Sequence, residues 1–259
     1  MNINGLLDPI TADGGKLSLP GAAQWMQGRT MYGGASTLIA YIAATRAFPD
    51  LPPLWAGQIS FVAPLGAEME LRSEIIRQGR NVTQVRSEIL SDGKLALTAF
   101  WLFGTDREAN AVHPAPPPEG SPGAPEDGAF VESSQAPSFM KNNFEVRHTG
   151  DRPGLGQPLI RRWTRLREPS GLSPTAEMIL MGDTLPPSAM RVMQRPGPMS
   201  SVNWSFNMLE PAPVTRDGWW LVETASDHAN HGYSSERLRL WNTDGRQMMS
   251  GIQNAAIFG

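Results

Sequence analysis

The segment that most constrains the fold is residues 35–48, ASTLIAYIAATRAF, which is apolar on nearly all sides except at Thr45 and Arg46. Prolines at positions 49, 52 and 53 end it. A helix that is apolar all round has no face to offer to water, so it is expected to be buried on every side. The rest of the chain must therefore supply a structure that wraps around this helix.

Four segments with the pattern of β-strands follow this helix between residues 54 and 104. The second and third, EMELRSEIIRQG and NVTQVRSEILSDG, alternate apolar with polar residues, as half-buried antiparallel strands do. Ser91-Asp92-Gly93 indicates a hairpin turn before the fourth segment. One helix followed by antiparallel strands predicts an α+β unit whose sheet wraps the helix.

The second half of the chain repeats this plan at low identity. Residues 58–61, QISF, match residues 203–206, NWSF, and the Asp92-Gly93 turn matches Asp244-Gly245. Such a repeat indicates two similar structural units in tandem.

A proline- and glycine-rich stretch, HPAPPPEGSPGAPEDG at residues 113–128, lies between the two halves. It can form neither a helix nor a sheet ladder, and it is typical of an interdomain linker. The sequence therefore predicts three parts: an N-terminal domain at 1–107, a linker at 108–138 and a C-terminal domain at 139–259.

Composition excludes several classes of function. The formal net charge of −3 argues against a nucleic-acid binder that is held mainly by phosphate contacts. The absence of cysteine excludes disulfides, thiol catalysis and thiolate metal sites. The N-terminus lacks the pattern of a signal peptide, and no apolar run is long enough to span a membrane. These features favour a cytoplasmic protein.

Asp183 is the one acid in an apolar stretch, PTAEMILMGDTLPPSAMRVM at residues 174–193. The apolar spacing predicts a helix, a break at Asp183 and a second helix. At the break, the carboxylate stands where it can accept hydrogen bonds from the first N–H groups of the following turn. An ordinary helix cap and a functional acid both fit this position.

The predicted architecture resembles the double hotdog fold, in which two central helices are each wrapped by an antiparallel sheet. Its residues are similar to those of the acyl-CoA thioesterase II family. The segment RTMYGGASTLIAYIAA is similar to that family's Gly-Gly start of the central helix. Asp183 in MGDTL, Ser201 in SSVNWSF and Gln253 in MSGIQNAAIF stand where the family has its helix-break aspartate, strand threonine and last-strand glutamine.

The resemblance implies hydrolysis of acyl-CoA to free acid and CoA, with no cofactor and no metal. Asp183 would act as general base on a water that Ser201 and Gln253 hold. The N–H groups of Thr184 and Leu185 would stabilise the oxyanion. Substrate contacts are expected at four further positions: Gly33, Gly34, Met181 and Asn203. The resemblance also implies a homodimer or a higher homo-oligomer.

The repeat predicts one active site per chain, on the second half. The matching positions of the first half hold no acid, hydroxyl or amide: Ala56 for Ser201, Trp101 for Gln253 and the neighbourhood of Tyr32-Gly33 for Asp183.

Two departures from the family pattern, Gly251 and Asn203, favour a rival function. In that alternative the protein binds acyl-CoA or lipid without hydrolysing it, and its catalytic site has decayed. A purely structural partner in a larger complex is a third alternative.

Two further clusters of side chains could carry a function. His228 and His231 could bind a metal, although a solvated loop explains them better. Residues 159–167, LIRRWTRLR, carry four arginines that suit the phosphates of CoA or, more simply, a charged outer face of a sheet.

Overall fold

The computed structural model describes residues 3–131, 136–151, 153–154 and 156–258. Its helices are α1 (Ile3–Leu7), α2 (Gly33–Ala47), α3 (Ser138–Asn143) and α4 (Pro174–Met181), with 3₁₀ turns at Pro20–Trp25, Pro125–Asp127 and Ser188–Val192. Its strands in the first half are β1 (Gly15–Ser18), β2 (Met26–Gln27), β3 (Thr30–Met31), β4 (Leu54–Phe61), β5 (Glu68–Gln78), β6 (Val82–Ser91) and β7 (Lys94–Gly104). Those in the second half are β8 (Phe144–His148), β9 (Leu159–Leu166), β10 (Met199–Met208), β11 (Trp220–Asn230), β12 (Tyr233–Trp241) and β13 (Gln247–Ile257).

Eleven of these strands form one sheet in the order β1-β5-β6-β7-β4-β10-β13-β12-β11-β9-β8, and every pairing in it is antiparallel. The two halves meet where β4 pairs with β10; outward from this pair both have the same order of five strands, and the second half adds β8 at its edge. In that pairing Ile59 lies opposite Trp204, the residue that it matches in the sequence repeat. The two halves are therefore related by an approximate two-fold axis through this pair, and the predicted repeat is confirmed.

The predicted central helix and the four strands after it are confirmed to within a few residues. For residues 1–20 the sequence pattern predicts a strand or an extended lead-in with turns at Asp13-Gly14 and Pro20. The structure has a strand in this range, β1, but it also forms the helix α1 at Ile3–Leu7, which was not predicted. Ile3, Leu6 and Leu7 are spaced three and four residues apart and are all buried, which places one apolar face of α1 on the core.

Helix α2 is the buried helix that the sequence requires, and Leu38, Ile39 and Ala40 are fully inaccessible to solvent. It packs against β5, β6 and β7 of its own half and against α4 of the other half. At the centre of the sheet Gly57 leaves room for the Phe206 ring, since a Cβ there would lie 2.6 Å from Phe206 Cζ.

The described part of the predicted linker covers the outer face of the second half of the sheet. Trp163, Trp219, Leu221 and Trp241 form a small apolar cluster on that face. The indole N–H of Trp241 donates to the carbonyl oxygen of Pro116 in the linker at 3.2 Å. Residues 132–135, which the prediction also assigned to the linker, lie outside the described residues.

This covering segment, residues 108–131 of the linker (the strap), corrects both interpretations for one of the four arginines in residues 159–167. Arg161 is 3% exposed and forms ion pairs with Glu223 and, at 2.9 Å, with Asp151. Its Nη1 also donates to the carbonyl oxygen of Glu119 in the strap at 2.6 Å. Arg161 therefore neither faces solvent nor is available to a phosphate group. Arg165 pairs with Glu145 at 2.6 Å.

Candidate active site

A cavity of about 280 Å³ lies between the two halves, at the N-terminal end of α2. The first half contributes Met31, Gly33, Phe61 and Leu97 to its wall, and the second half contributes Asp183, Met199 and Ser201. The cavity therefore combines an apolar wall with an acid and a hydroxyl, which is the usual composition of a small-molecule site.

The chain break after α4 aims Asp183 at the first half. α4 ends at Met181, and Thr184 folds back so that its N–H and hydroxyl both donate to the Met181 carbonyl oxygen, at 3.1 and 2.8 Å. Gly182 fits the turn closely, because a Cβ there would lie 2.5 Å from Cζ2 of Trp204. The turn is thus fixed against β10 on one side, and its acid faces α2 on the other.

Two donors hold the Asp183 carboxylate, one from each half of the chain. Gln253 Nε2 donates to Oδ1 at 2.8 Å, and the backbone N–H of Gly34 donates from the first turn of α2. The positive end of the α2 dipole also favours a carboxylate here. Gly33 permits this approach, because a Cβ at that position would lie 2.3 Å from Asp183 Oδ2. The Gly-Gly pair therefore accommodates the acid of the other half.

Burial raises the pKa of Asp183 from 3.8 to about 7, and the hydrogen bonds from Gln253 and Gly34 only partly offset this rise. A carboxyl with a pKa near 7 exchanges its proton readily at neutral pH. That property is what general acid–base catalysis requires of a side chain.

The prediction that Asp183 caps the following turn is wrong. Glu236, fully buried on β12, accepts from the N–H and the hydroxyl of Ser188, both at 2.8 Å, and from the N–H of Ala189 at 3.3 Å. Sequence reasoning missed Glu236. The sequence did contain a signal for it: Glu236 precedes Leu238 and Leu240 at two-residue spacing, which places its carboxylate on the inward face of the strand.

Ser201 and Gln253 lie on neighbouring strands and on the same side of the sheet. Ser201 is opposite Ala255, two residues beyond Gln253 on β13, and it lines the cavity. Gln253 itself is 3% exposed and stands opposite Trp204. The structure therefore brings all three predicted catalytic residues to one place.

The counterpart of Gln253 in the first half is Ala99 rather than the expected Trp101. Gln253 pairs with Trp204, and Ala99 pairs with Ile59, the equivalent of Trp204. A methyl group at this position cannot donate to a carboxylate, so the first half still lacks the amide.

The other predicted site residues differ in their placement. Gly33 lines the cavity, and Gly34 binds Asp183 through its N–H. Met181 lies in the core with no exposed surface. Asn203 is exposed at a β-bulge, where its Oδ1 accepts from the N–H of Asn254 at 3.1 Å. Leu185 is buried in the core.

Packing explains the departure at Gly251. A Cβ there would lie 2.8 Å from the Ser205 carbonyl oxygen and 3.1 Å from Nε1 of Trp204. The large indole of Trp204 occupies the space that a side chain at 251 would need. Gly251 thus reflects an aromatic neighbour, and it leaves the contacts of Asp183 unchanged.

The described residues hold no group of three or more His, Asp or Glu side chains arranged to bind a metal ion. His228 and His231 are exposed on the hairpin that joins β11 to β12. Across the described chain, no helix is long and apolar enough to cross a membrane.

The fold and the site define a protein of the double hotdog class. Residues 22–104 match the acyl-CoA thioesterase N-terminal domain, and residues 111–257 match the acyl-CoA thioesterase C-terminal domain. The chain therefore belongs to the acyl-CoA thioesterase family, and it is a thioester hydrolase. Among curated proteins, none matches it.

Solved structures share the whole fold at low identity. A hotdog-fold protein of unknown function from Alicyclobacillus acidocaldarius is 21% identical, with a TM-score of 0.83 over 94% of this chain and 92% of that one. An acyl-CoA thioesterase II from Mycobacterium marinum is 18% identical, with a TM-score of 0.74 over 99% and 98%. A tesB protein from Mycobacterium avium subspecies paratuberculosis is 16% identical, with a TM-score of 0.75 over 96% and 97%.

Proposed function

We propose that this protein hydrolyses fatty acyl-CoA to free acid and CoA at the cavity between its two halves, through a water that Asp183 activates. The observation that carries the proposal is the Asp183 carboxyl itself. It faces the cavity, binds Gln253 at 2.8 Å, and has a pKa raised to about 7 by burial. No covalent intermediate is needed.

In this mechanism the Asp183 carboxylate takes a proton from water as the water oxygen attacks the thioester carbonyl carbon. The carbonyl π electrons move to oxygen, and a tetrahedral oxyanion forms. Its collapse breaks the carbon–sulfur bond, and the proton held by Asp183 passes to the departing thiolate. The products are the carboxylic acid and the thiol of CoA.

Gln253 and Ser201 would orient the water. Gln253 uses its amide N–H on Asp183, which leaves its carbonyl oxygen as an acceptor for a water proton. The Ser201 hydroxyl lines the cavity and bonds to no other described side chain or backbone group. Holding the water on the line of attack removes much of the barrier by positioning alone.

The backbone N–H groups in the first turn of α2 fit the role of oxyanion donors better than those of Thr184 and Leu185. The Thr184 N–H is already bonded to the Met181 carbonyl oxygen, and Leu185 is buried away from the cavity. By contrast, Gly33 opens α2 at the cavity wall, and no side chain of its own caps that helix. Uncapped N–H groups at a helix start suit a developing negative charge.

The test measures thiol release from a series of acyl-CoAs, short to long, by wild type, Asp183→Asn and Glu177→Gln. Removing a general base lowers kcat by about 10²–10⁴-fold, so we expect Asp183→Asn to lose at least about 100-fold. Glu177 is the matched control: burial raises its pKa too, but it binds Trp220 and lies outside the cavity wall.

Two results would contradict the proposal. One is an Asp183→Asn variant with wild-type activity. The other is a wild type that binds long-chain acyl-CoA but releases no thiol, which would favour the non-hydrolytic alternative. Self-association into dimers or higher oligomers stays a prediction.

A further inference from the structure

Tyr32, immediately before the Gly-Gly pair, is a buried residue of the first half that contacts the second half. It is 1% exposed and stands at the N-cap of α2. Its ring stacks on Phe139 with centroids 4.2 Å apart and meets the Phe144 ring edge-on at 6.1 Å. These aromatic contacts leave the phenol one position, with its hydroxyl directed at the end of α4.

The Tyr32 hydroxyl bonds to the backbone on both sides of the break in the second half. It donates to the carbonyl oxygen of Leu180, in the last turn of α4. It also accepts a hydrogen bond from the backbone N–H of Asp183. One hydroxyl therefore satisfies an orphan carbonyl and an orphan N–H at a helix end that would otherwise lack partners.

Gly34 is needed for this contact as well as for the carboxylate. A Cβ at Gly34 would lie 2.4 Å from Oη of Tyr32 and 2.5 Å from the Leu180 carbonyl oxygen. Its N–H meanwhile donates to the Asp183 side chain. The Tyr-Gly-Gly unit of α2 thus holds Asp183 at both its backbone and its carboxylate.

We propose that Tyr32 is a positioning residue for the hydrolysis, which fixes the Asp183 backbone so that the carboxyl stays buried against α2 and faces the cavity. This inference rests on the proposed function. Burial raises the pKa of Tyr32 well above its ordinary value, so the phenol keeps its proton and its donor role throughout the neutral range.

The test compares Tyr32→Phe with Tyr41→Phe. Tyr41 is the matched control because it lies on the same helix, is also buried, and packs its ring edge-on against Trp101. Both variants keep their ring and lose one hydroxyl, but only Tyr32 contacts Asp183. We expect kcat to fall about tenfold in Tyr32→Phe, with KM changed less than about twofold, since alignment rather than binding is lost.

The pH profile separates positioning from general stability. In wild type, kcat should rise with pH and level off above about 7, as the Asp183 carboxyl with its pKa of about 7 ionises. A looser turn admits water to that carboxyl and weakens the burial that raises its pKa. The rising limb in Tyr32→Phe should therefore move to lower pH, whereas Tyr41→Phe should keep the wild-type limb.

Amide hydrogen exchange gives a readout that does not depend on activity. The peptide that contains Asp183 should exchange faster in Tyr32→Phe than in wild type or Tyr41→Phe, because its N–H loses its partner. Unchanged exchange there, or a kcat and pH limb equal to those of Tyr41→Phe, would overturn the assignment of Tyr32. Faster exchange with a fully active Asp183→Asn variant would instead overturn the proposed function and leave Tyr32 as a purely structural anchor.

Discussion

Replacing Asp183 by asparagine should change the stability of the protein in a pH-dependent way, and it should favour the variant more at high pH than at low pH. The carboxyl is held where burial raises its pKa from 3.8 to about 7. A raised pKa in the folded state means that ionisation favours unfolding. The cost is absent below about pH 4, where the carboxyl is protonated in both states, and is complete above about pH 7.

The size of this change in stability follows from the rise in the pKa of Asp183. One pKa unit corresponds to about 1.4 kcal/mol, so three units give about 4 kcal/mol as an upper limit above pH 7. Between pH 5 and pH 8 the same shift predicts a change of roughly 2–3 kcal/mol in the free energy of unfolding. Asparagine loses one of the two hydrogen bonds that the carboxylate accepts from Gln253 and Gly34. That loss is the same at every pH and cancels in the comparison.

The assay is urea unfolding of wild type and Asp183→Asn, followed by tryptophan fluorescence at pH 5 and pH 8. The quantity of interest is the difference between the two proteins, because all other titrating groups contribute equally to both. We expect this difference to shift in favour of the variant by roughly 2–3 kcal/mol on going from pH 5 to pH 8. An equal difference at both pH values would refute the idea that burial of this carboxyl costs stability.

Two further substitutions test the site and the strap. Gly33→Ala should remove most of the thioesterase activity, because the new Cβ would lie 2.3 Å from Asp183 Oδ2. In the control Gly66→Ala the new Cβ meets nothing within 4 Å, so activity should be unchanged. Equal activities of the two variants would contradict the close approach of the Asp183 carboxylate to Gly33. Arg161→Ala should destabilise the protein by about 3 kcal/mol, since it leaves buried charge behind. Arg86→Ala, which removes an exposed ion pair with Glu74, should lower the free energy of unfolding by less than about 1 kcal/mol. Equal unfolding midpoints for the two variants would contradict the prediction that the buried ion pairs matter more.

The fold was largely predictable because its signals are local. Alternation of apolar and polar residues marks β5 and β6, and the Ser91-Asp92-Gly93 turn joins β6 to β7. A helix with no polar face, such as α2, implies a sheet around it. The short helix α1 escaped prediction, because five residues carry too little periodicity to separate a helix from an extended segment.

That Asp183, Ser201 and Gln253 belong to one candidate site was predictable, but their contacts were not. Asp183, Ser201 and Gln253 were recognised through their order along the chain. Their hydrogen bonds depend on the packing of one half against the other, which no local pattern encodes. For that reason the sequence pattern left Asp183 as a possible cap of the following turn, whereas in the structure Glu236 accepts from the N–H of Ser188 in that turn and Asp183 accepts from Gly34.

The two halves differ at the helix starts, and this difference supports the prediction of one active site per chain rather than two. A second site, related by the approximate two-fold axis, would need a carboxylate from the first half at the start of α4. That start is already satisfied, because the Ser173 hydroxyl accepts from the N–H of Ala176 and Pro174 has no N–H to offer. The start of α2 has no side-chain cap from its own half, so its N–H groups remain available to Asp183 and, in the proposed mechanism, to the oxyanion. With Ala99 in place of an amide as well, the mirror position can neither hold an acid nor orient a water.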